Sequence, residues 1–360
     1  MPSQLLHVLF GEDVITEVSR LVKSRFTDNA QEELRGVGHR AFALGCQGPD
    51  IFYHNRRRRP VGLEYGTLLH RRGIGRFASE LLGLALPAPL AEGIDALGMY
   101  ALGFMTHAML DRAAHPFIVY KSFRFAPAKQ GDLSAAQSHA FFERIIDTLM
   151  LKLLRGTEIA RWDQEGLLAG ICGNPPPDLG GLLARALVLA FPERAGKDEK
   201  LALRIENTFC DSAAFYRMTA PANINGRRGD GPLDKDHLVY VYPESLPDGI
   251  DFLNLEKRPW LYPAGSVQED TRSFPEVYAV AVQAASASLA ALMVRCLDEG
   301  VFPAGQAAAV IGNGGLSVTD ENGAPCPPCR SDPLPLDEVI EQQMHMRRSN
   351  RKNILSQNKQ

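Results

Sequence analysis

Apolar positions recur at the spacing of an α-helix along most of this chain. In residues 11–25 (EDVITEVSRLVKSRF), apolar side chains return every three or four positions, which is typical of an amphipathic helix. The same pattern predicts further helices at residues 31–45, 75–86, 88–115, 133–155, 164–171, 180–190, 196–218, 274–299 and 303–311. The pattern therefore predicts an all-α protein.

Several residues mark where the longer helices should begin or end. Pro116 is expected to stop the long apolar helix that precedes it, because proline removes a backbone N–H donor. Ser134 and Gly156 are expected to bound the next helix. Ser273 and Glu276 have the spacing of a capping box, which predicts the start of the last long helix.

The helical pattern suggests one large domain followed by a tail. We expect a single multi-helix domain over residues 1–311, interrupted by an irregular segment at 219–270 that is rich in Pro, Gly and Asp. Within that segment, only residues 237–242 suggest a short extended stretch. Residues 312–360 are expected to form a flexible C-terminal tail.

Composition places the chain among soluble globular proteins and excludes two other classes. Its 360 residues are 45% hydrophobic and 22% charged. A formal net charge of −3 argues against a general nucleic-acid binder, which needs a basic field. Six scattered cysteines are too few for a disulfide scaffold in a chain of this length, and we assign no role to Cys326 and Cys329.

The start of the chain does not resemble an export signal. MPSQLLHVLFGEDV has no basic region and its apolar run is interrupted early by acidic residues. We also expect no transmembrane segment, because the best candidate that we considered, residues 94–110, carries Asp95 and His107. We therefore expect a cytoplasmic protein.

Histidines and acids at helical spacing are the chemically informative feature. His107, Asp111 and His115 lie four residues apart in GFMTHAMLDRAAHP, and His139 and Glu143 are similarly spaced in HAFFE. Residues four apart share one face of a helix. Burying three ionisable groups in such an apolar helix costs several kcal/mol unless a partner neutralises them. A metal ion is the simplest such partner.

Three other residues are candidate ligands, although each has an ordinary explanation when considered alone. His7 and His70 could be hydrogen-bonded core histidines, and Asp50 in GPD could cap the turn that follows. His54, close to Asp50, is an alternative ligand. The His-x3-Glu pair could also be a simple surface pairing.

Taken together and in order, these motifs resemble a known family. The order His7, GPD with Asp50, His70, HAMLDRAAHP and HAFFE is similar to that of the zinc-dependent bacterial phospholipases C. That family is related to the N-terminal domain of glycosylphosphatidylinositol-specific phospholipase D. The motifs cover residues 1–155, and LNLEKRPWLYP and SFPEVY extend the resemblance weakly to about residue 300.

The resemblance implies an all-helical domain of the zinc phospholipase C and zinc nuclease type, with eight residues as ligands of a zinc cluster. The implied groups are Asp50, His70, His107 and Asp111 at one ion, Asp111 and His7 at a second, and His115, His139 and Glu143 at a third. Secreted members use an N-terminal tryptophan as a further ligand, and this chain has no tryptophan near its start. We therefore expect two or three zinc ions.

The resemblance also implies the chemistry. A metal-activated water would attack the phosphorus of a phospholipid or similar phosphodiester, with Asp50 orienting or deprotonating that water. Arg56, Arg57, Arg58 and Arg59 would capture an anionic substrate or contact an anionic membrane surface, unless they form only a solvated loop.

Two other functions remain open. One is a nuclease or 3′-nucleotidase acting on single strands, because the fungal zinc nucleases share this fold and ligand plan; nucleic acid is a partner only in that case. The other is a helical protein that binds metal without turnover. Stacking aromatics near the metal would favour nucleotide bases, and an apolar lip would favour lipid.

Overall fold

Helices joined by turns and loops make up most of the protein. The computed structural model describes residues 4–22, 38–86, 94–126, 132–221, 235–300 and 302–357, with side chains through residue 349. The helices of these ranges are α1 (Leu5–Val22), α2 (His39–Gly45), α3 (Ile51–His54), α4 (Leu63–Arg71), α5 (Ile74–Ala85), α6 (Ala96–Ser122), α7 (Ala135–Arg155), α8 (Gly170–Gly173), α9 (Leu179–Ala190), α10 (Leu201–Thr219), α11 (Lys235–Leu238), α12 (Phe274–Glu299), α13 (Ala304–Ile311) and α14 (Leu336–Gln357).

Strand structure is minor in the described ranges. β1 (Trp260–Leu261) and β2 (Glu269–Asp270) pair antiparallel, with Trp260 opposite Asp270. Short 3₁₀ turns occur at Gly48–Asp50 and Ile159–Arg161, and a π-helical turn at Glu165–Ala169 precedes α8. The prediction of an all-α fold class is therefore confirmed.

The helical pattern located most elements, with shifted ends. Ser134 and Gly156 cap α7 as predicted, and Ser134 also takes part in a capping box. α10 begins at Leu201 instead of residue 196. Parts of three predicted helices fall outside the described residues, namely 23–25, 31–37 and 88–93.

Helix α6 is the centre of the fold. It begins where the Asp95 carboxylate accepts a hydrogen bond from the Gly98 backbone N–H at 2.9 Å. Every residue from 98 to 108 is buried, so this part of the helix is covered by protein on all sides, as expected of a core helix. Helices α1, α2, α5, α7 and α12 pack around it.

The prediction that Pro116 ends this helix is wrong. α6 continues to Ser122, with Pro116 inside it. Proline removes one backbone hydrogen bond, but the turn that follows carries core residues. The Phe117 ring packs against Trp260 at 5.5 Å and Phe274 at 5.3 Å between ring centroids. Tertiary packing of Phe117 therefore outweighs the free-energy cost of proline within the helix.

Helix α12 starts with the predicted capping box. The Glu276 carboxylate accepts a hydrogen bond from the Ser273 backbone N–H at 2.8 Å. Residues 277–294 of this helix contain no charged side chain. We overlooked this apolar stretch when we expected no transmembrane segment from the sequence. By length and composition α12 can cross a membrane. Half of its 18-residue apolar window is buried, and α12 packs on α1 and α6. The core helix of a soluble protein also meets these criteria of length and composition.

The C-terminal segment differs from the predicted flexible tail. It contains α14, whose Leu336, Val339 and Ile340 side chains are buried. The Asp337 carboxylate accepts a hydrogen bond from the Leu133 N–H at 2.7 Å and forms an ion pair with Arg124 at 2.6 Å. Pro, Gly and charge content suggested disorder, whereas a few widely spaced apolar residues suffice to attach the segment.

The segment 219–270 is largely irregular, as predicted, with residues 222–234 outside the described ranges. The extended stretch expected at 237–242 is wrong, because the helical turn α11 (Lys235–Leu238) runs into it. Tyr242 is nevertheless buried, and its hydroxyl donates a hydrogen bond to Gln164 Oε1 at 3.1 Å. Buried side chains such as Tyr242 thus attach this segment to the core, although the segment has little regular secondary structure.

Helix α1 begins earlier than the pattern predicted, which places His7 on it. The buried Asp147 carboxylate of α7 accepts hydrogen bonds from the backbone N–H groups of Gln4, Leu5 and Leu6 at 3.2, 3.3 and 2.8 Å. These donors have no partner within a helix. The Arg144 guanidinium, also buried, lies 3.4 Å from the same carboxylate. Asp147 therefore fixes the start of α1.

Replacing this carboxylate should destabilise the protein. Asp147→Asn places an amide N–H₂ against backbone donors and leaves the Arg144 charge buried without its anion. We expect the free energy of unfolding to fall by about 3 kcal/mol in urea denaturation. Glu193→Gln makes the same chemical change at an exposed ion pair with Lys197 and should change little. Equal effects of the two substitutions would contradict this account.

Candidate metal centre

Five elements of the fold bring the eight predicted ligands together. The ligands are His7 on α1, Asp50 at the end of the turn Gly48–Asp50, His70 on α4, His107, Asp111 and His115 on α6, and His139 and Glu143 on α7. They form three groups, and within each group the ligand atoms lie within 4.8 Å of one another. Each group can hold a metal ion.

A glycine turn places Asp50 beside α6. Gly48 has a φ of +53°, a conformation that favours glycine. A Cβ at this position would collide with the His107 ring, so the turn lies directly against α6. The GPD motif therefore delivers its carboxylate to the centre of the protein instead of capping an exposed turn.

The first group consists of Asp50, His70 and His107. His70 Nε2 lies 2.9 Å from Asp50 Oδ1, and His107 Nε2 lies 3.7 Å from Asp50 Oδ2. Asp50 and His107 are buried, and the His70 side chain is 15% exposed. His70 thus lies on the more open side of this group.

The second group consists of His7, His107 and Asp111. His7 Nε2 lies 3.2 Å from Asp111 Oδ1, and His107 Nε2 lies 3.2 Å from Asp111 Oδ2. The His7 and His107 rings stack with centroids 4.1 Å apart. His107 therefore belongs to two groups.

The third group consists of His115, His139 and Glu143. Glu143 Oε1 lies 3.6 Å from His115 Nε2 and 3.1 Å from His139 Nε2. The His139 side chain is 20% exposed, whereas Glu143 is buried. One turn along α6, His115 Nδ1 is 3.8 Å from Asp111 Oδ2, so this group adjoins the second one.

The buried histidines and carboxylates of these groups shift one another's pKa values. Burial alone would lower the pKa of His107, but the charges of Asp111 and Asp50 outweigh it and raise that pKa to about 9. The pKa of His115 is likewise raised to about 9, because Asp111 and Glu143 outweigh burial. Burial opposes ionisation of Asp111, yet His115 and His107 hold its pKa well below the usual range. Burial and the His107 charge lower the pKa of His7.

The donor set fits divalent cations. His107 Nε2, Asp111 Oδ2 and Glu143 Oε2 are buried and make no well-aligned hydrogen bond within the described ranges. Leaving such atoms without partners is costly. Imidazole nitrogens and carboxylate oxygens are ligands that zinc accepts. Ions bound at these groups would provide the partners that the three atoms lack.

Backbone carbonyls orient two of the imidazoles. His107 Nδ1 lies 3.0 Å from the Cys46 carbonyl oxygen, and His70 Nδ1 lies 2.8 Å from the Gly66 carbonyl oxygen. A proton on each Nδ1 would donate to that carbonyl and leave Nε2 free for a metal. Sequence reasoning missed these carbonyls, since any residue type offers one.

The four arginines are exposed and lie on a loop anchored by a buried acid. The Asp211 carboxylate accepts hydrogen bonds from the backbone N–H groups of Arg57 and Arg58 at 2.8 and 3.0 Å, and from Asn55 at 3.0 Å. The sequence offered no clue to Asp211, which lies more than 150 positions along the chain. Asp211 therefore fixes the backbone of the loop that carries the four arginines.

A cavity of about 200 Å³ adjoins this loop. Arg56 and Arg57 line it, together with Tyr53, Phe215 and Tyr240, whereas Arg58 and Arg59 do not. The Tyr53 ring also packs against His70, with centroids 4.7 Å apart. Tyr53 therefore links the cavity wall to the first metal group, although none of the eight candidate ligands lines the cavity, and two of the four predicted arginines lie in that wall.

His54 is not part of the three metal groups. Its ring stacks on Phe215 at 4.2 Å and packs edge-on against Tyr216, and its Nδ1 lies 3.2 Å from Ser212 Oγ. Burial lowers the pKa of His54 to about 3. The structure therefore places His54, the alternative ligand, outside the three metal groups.

His54 should make stability depend on pH. Its pKa lies far below the unfolded value of about 6.5. The contribution of His54 to the free energy of unfolding is therefore complete above about pH 6.5. It is lost as pH falls towards 3, by at most about 1.4 kcal/mol per pH unit. His54→Gln keeps a donor for Ser212 but does not titrate.

Urea denaturation of parent and variant at pH 7.5 and pH 5, at equal zinc concentration, isolates this contribution. The parent should lose more stability than His54→Gln at the lower pH. Equal losses would contradict a buried neutral His54.

Comparison with protein-family models, with curated proteins and with solved structures finds no match to this chain. The geometry of the site and its motifs are thus the basis for assigning a function.

Proposed function

We propose that this protein is a zinc-dependent phosphodiester hydrolase similar to the zinc-dependent phospholipases C. One observation carries the proposal. The Asp111 carboxylate lies 3.2 to 3.9 Å from imidazole nitrogens of four histidines, His7, His107, His115 and His70. A carboxylate so surrounded by imidazoles is suited to bridge metal ions, which is typical of hydrolases that act on phosphate esters.

The donor set favours zinc and several ions. All eight candidate ligands are nitrogen or oxygen donors, which hard or borderline divalent cations accept. Ions bound there would lower the pKa of water and stabilise charge on phosphoryl oxygens. The three groups support two or three ions, because they share His107 and adjoin at Asp111.

Asp50 is the residue that we assign to the attacking water. Its two carboxylate oxygens face His70 and His107 at 2.9 and 3.7 Å, in the group that Tyr53 links to the cavity. A carboxylate there can accept a proton from water or hold the water in line with phosphorus. Asp50 therefore has a dual role as ligand and as base or orienting group.

Arg56 and Arg57 are the substrate-binding residues that we favour. They line the cavity whose wall residue Tyr53 contacts His70, and guanidinium groups there can bind the non-transferred oxygens of a phosphodiester. Arg58 and Arg59, exposed on the same loop, extend the positive surface and support contact with anionic lipid. A phospholipid or similar diester is accordingly the proposed substrate.

A nuclease or 3′-nucleotidase activity is the second candidate. The cavity walls include the aromatic rings of Phe215 and Tyr240, which are 6.0 Å apart and roughly perpendicular. Aromatic faces beside arginines can stack a nucleotide base. Direct comparison of lipid and nucleotide substrates separates the two candidates.

Metal content tests the site directly. Purified protein should carry two or three zinc ions per chain by elemental analysis, and Asp111→Asn should lose at least one of them because the bridging charge is removed. Asp163→Asn makes the same change at an exposed position and should retain the parent content. Less than one ion per parent chain would exclude the assigned site.

Turnover tests the chemistry. Zinc-loaded protein should hydrolyse p-nitrophenyl phosphorylcholine or phospholipid vesicles, and Asp50→Asn should reduce kcat by about 10²- to 10⁴-fold. Faster cleavage of single-stranded oligonucleotides than of lipid would select the second candidate. Full metal content without cleavage of any of these substrates would indicate a protein that binds metal without turnover.

A further inference from the structure

The C-terminal chain crosses the metal centre at residues 312–316, which have the sequence GNGGL. Asn313 attaches this segment to the start of α5: its carbonyl accepts from the Gly73 N–H at 3.0 Å, and its side-chain Oδ1 accepts from the Arg76 N–H at 2.8 Å. At the other end, Leu316 is fully buried. The segment therefore follows a fixed path between α5 and the ligand-bearing helices.

The backbone of Leu316 contacts one ligand from each of two metal groups. Its N–H donates to the His70 carbonyl oxygen at 2.9 Å, and its carbonyl oxygen lies 2.7 Å from His115 Nδ1. The His70 carbonyl is at the end of α4, where carbonyls have no partner within the helix. One residue of the C-terminal segment thus joins the first and third groups.

The contact with His115 determines which ring nitrogen can bind a metal. At 2.7 Å the Leu316 oxygen is much closer to Nδ1 than Asp111 Oδ2 is, at 3.8 Å. A proton on Nδ1 would therefore donate to Leu316, leaving the lone pair of Nε2 directed towards Glu143. This is the orientation that the third group needs.

Arg112 holds the segment in place from α6. Its Nη2 donates to the carbonyl oxygens of Gly312 and Gly314 at 3.0 and 2.9 Å, and its Nε donates to that of Gly315 at 3.3 Å. The planar guanidinium matches several carbonyls at once, which lysine cannot do. Arg112 lies between Asp111 and His115 in sequence. The arginine that binds residues 312–316 is therefore on the same helix as these two candidate ligands.

Glycine is required where the segment is most crowded. A Cβ at Gly314 would come within 2.8 Å of the Gly323 carbonyl oxygen. Such contacts are closer than real Cβ atoms allow, and the opposing atom is backbone, which cannot easily move. A side chain at this position would therefore push residues 312–316 away from Arg112.

We propose that Arg112 and the 312–316 segment are positioning residues for the third metal group, with Leu316 orienting His115 for binding. The inference rests on the metal-dependent function proposed above for the same ligands. It assigns to the C-terminal part of the chain a role in the metal centre, so that binding at His115, His139 and Glu143 depends on residues about 200 positions further along.

Titration of the full chain with cobalt(II), followed by its visible absorption, tests this role. Arg112→Gln should weaken the ion at the third group by about 10- to 100-fold and change its spectrum, while the other ion or ions keep parent affinity. Arg112→Lys should restore part of that affinity. Arg295→Gln makes the same change at an exposed arginine of α12 whose guanidinium pairs with Glu299, and should match the parent.

Gly314→Ala provides a second variant in which Arg112 is intact, and it should show the same selective loss. Unchanged cobalt affinity in both Arg112→Gln and Gly314→Ala would overturn the proposal. An equal loss of every ion together with a lower Tm would also overturn it, since it would assign Arg112 to folding alone. Selective loss in a protein that cleaves no phosphodiester would support this role and contradict the proposed hydrolase.

Discussion

The arrangement of this protein depends on one buried carboxylate. Asp111 lies in the middle of the core helix α6 and faces imidazole nitrogens of four histidines at 3.2 to 3.9 Å. An isolated charge in such a position would cost several kcal/mol, so the surrounding groups must compensate it. Histidines alone do so by carrying protons; metal ions do so while leaving the imidazoles neutral. The proposed hydrolytic function rests on the second arrangement.

Distant parts of the chain hold the ligands around Asp111. The Asp147 carboxylate fixes the start of α1 and hence His7, the glycine turn before Asp50 lies against His107, and Leu316 joins His70 to His115. Each connection is a hydrogen bond or a close backbone approach between segments far apart in sequence. The ligands can therefore be rigid before any ion binds, which lowers the entropic cost of binding.

Sequence indicated the helices and the candidate ligands because both follow local rules. Helical spacing placed His107, Asp111 and His115 on one face, and Ser134 with Gly156 marked the ends of α7. The failures have a common physical cause. Pro116 lies inside a helix because of Phe117 packing, and residues 312–316 are ordered by carbonyl contacts to Arg112. Neither backbone carbonyls nor long-range packing leave a local pattern, so the orientation of the imidazoles could not be predicted.

Anomalous X-ray diffraction at the zinc edge, from crystals of the protein grown with zinc, tests the central claim most directly. The account predicts two or three strong peaks within the three groups, with two of the ions a few Å apart and the Asp111 carboxylate between them. Peaks confined to surface histidines, or a centre at which Asp111 binds no ion, would contradict it.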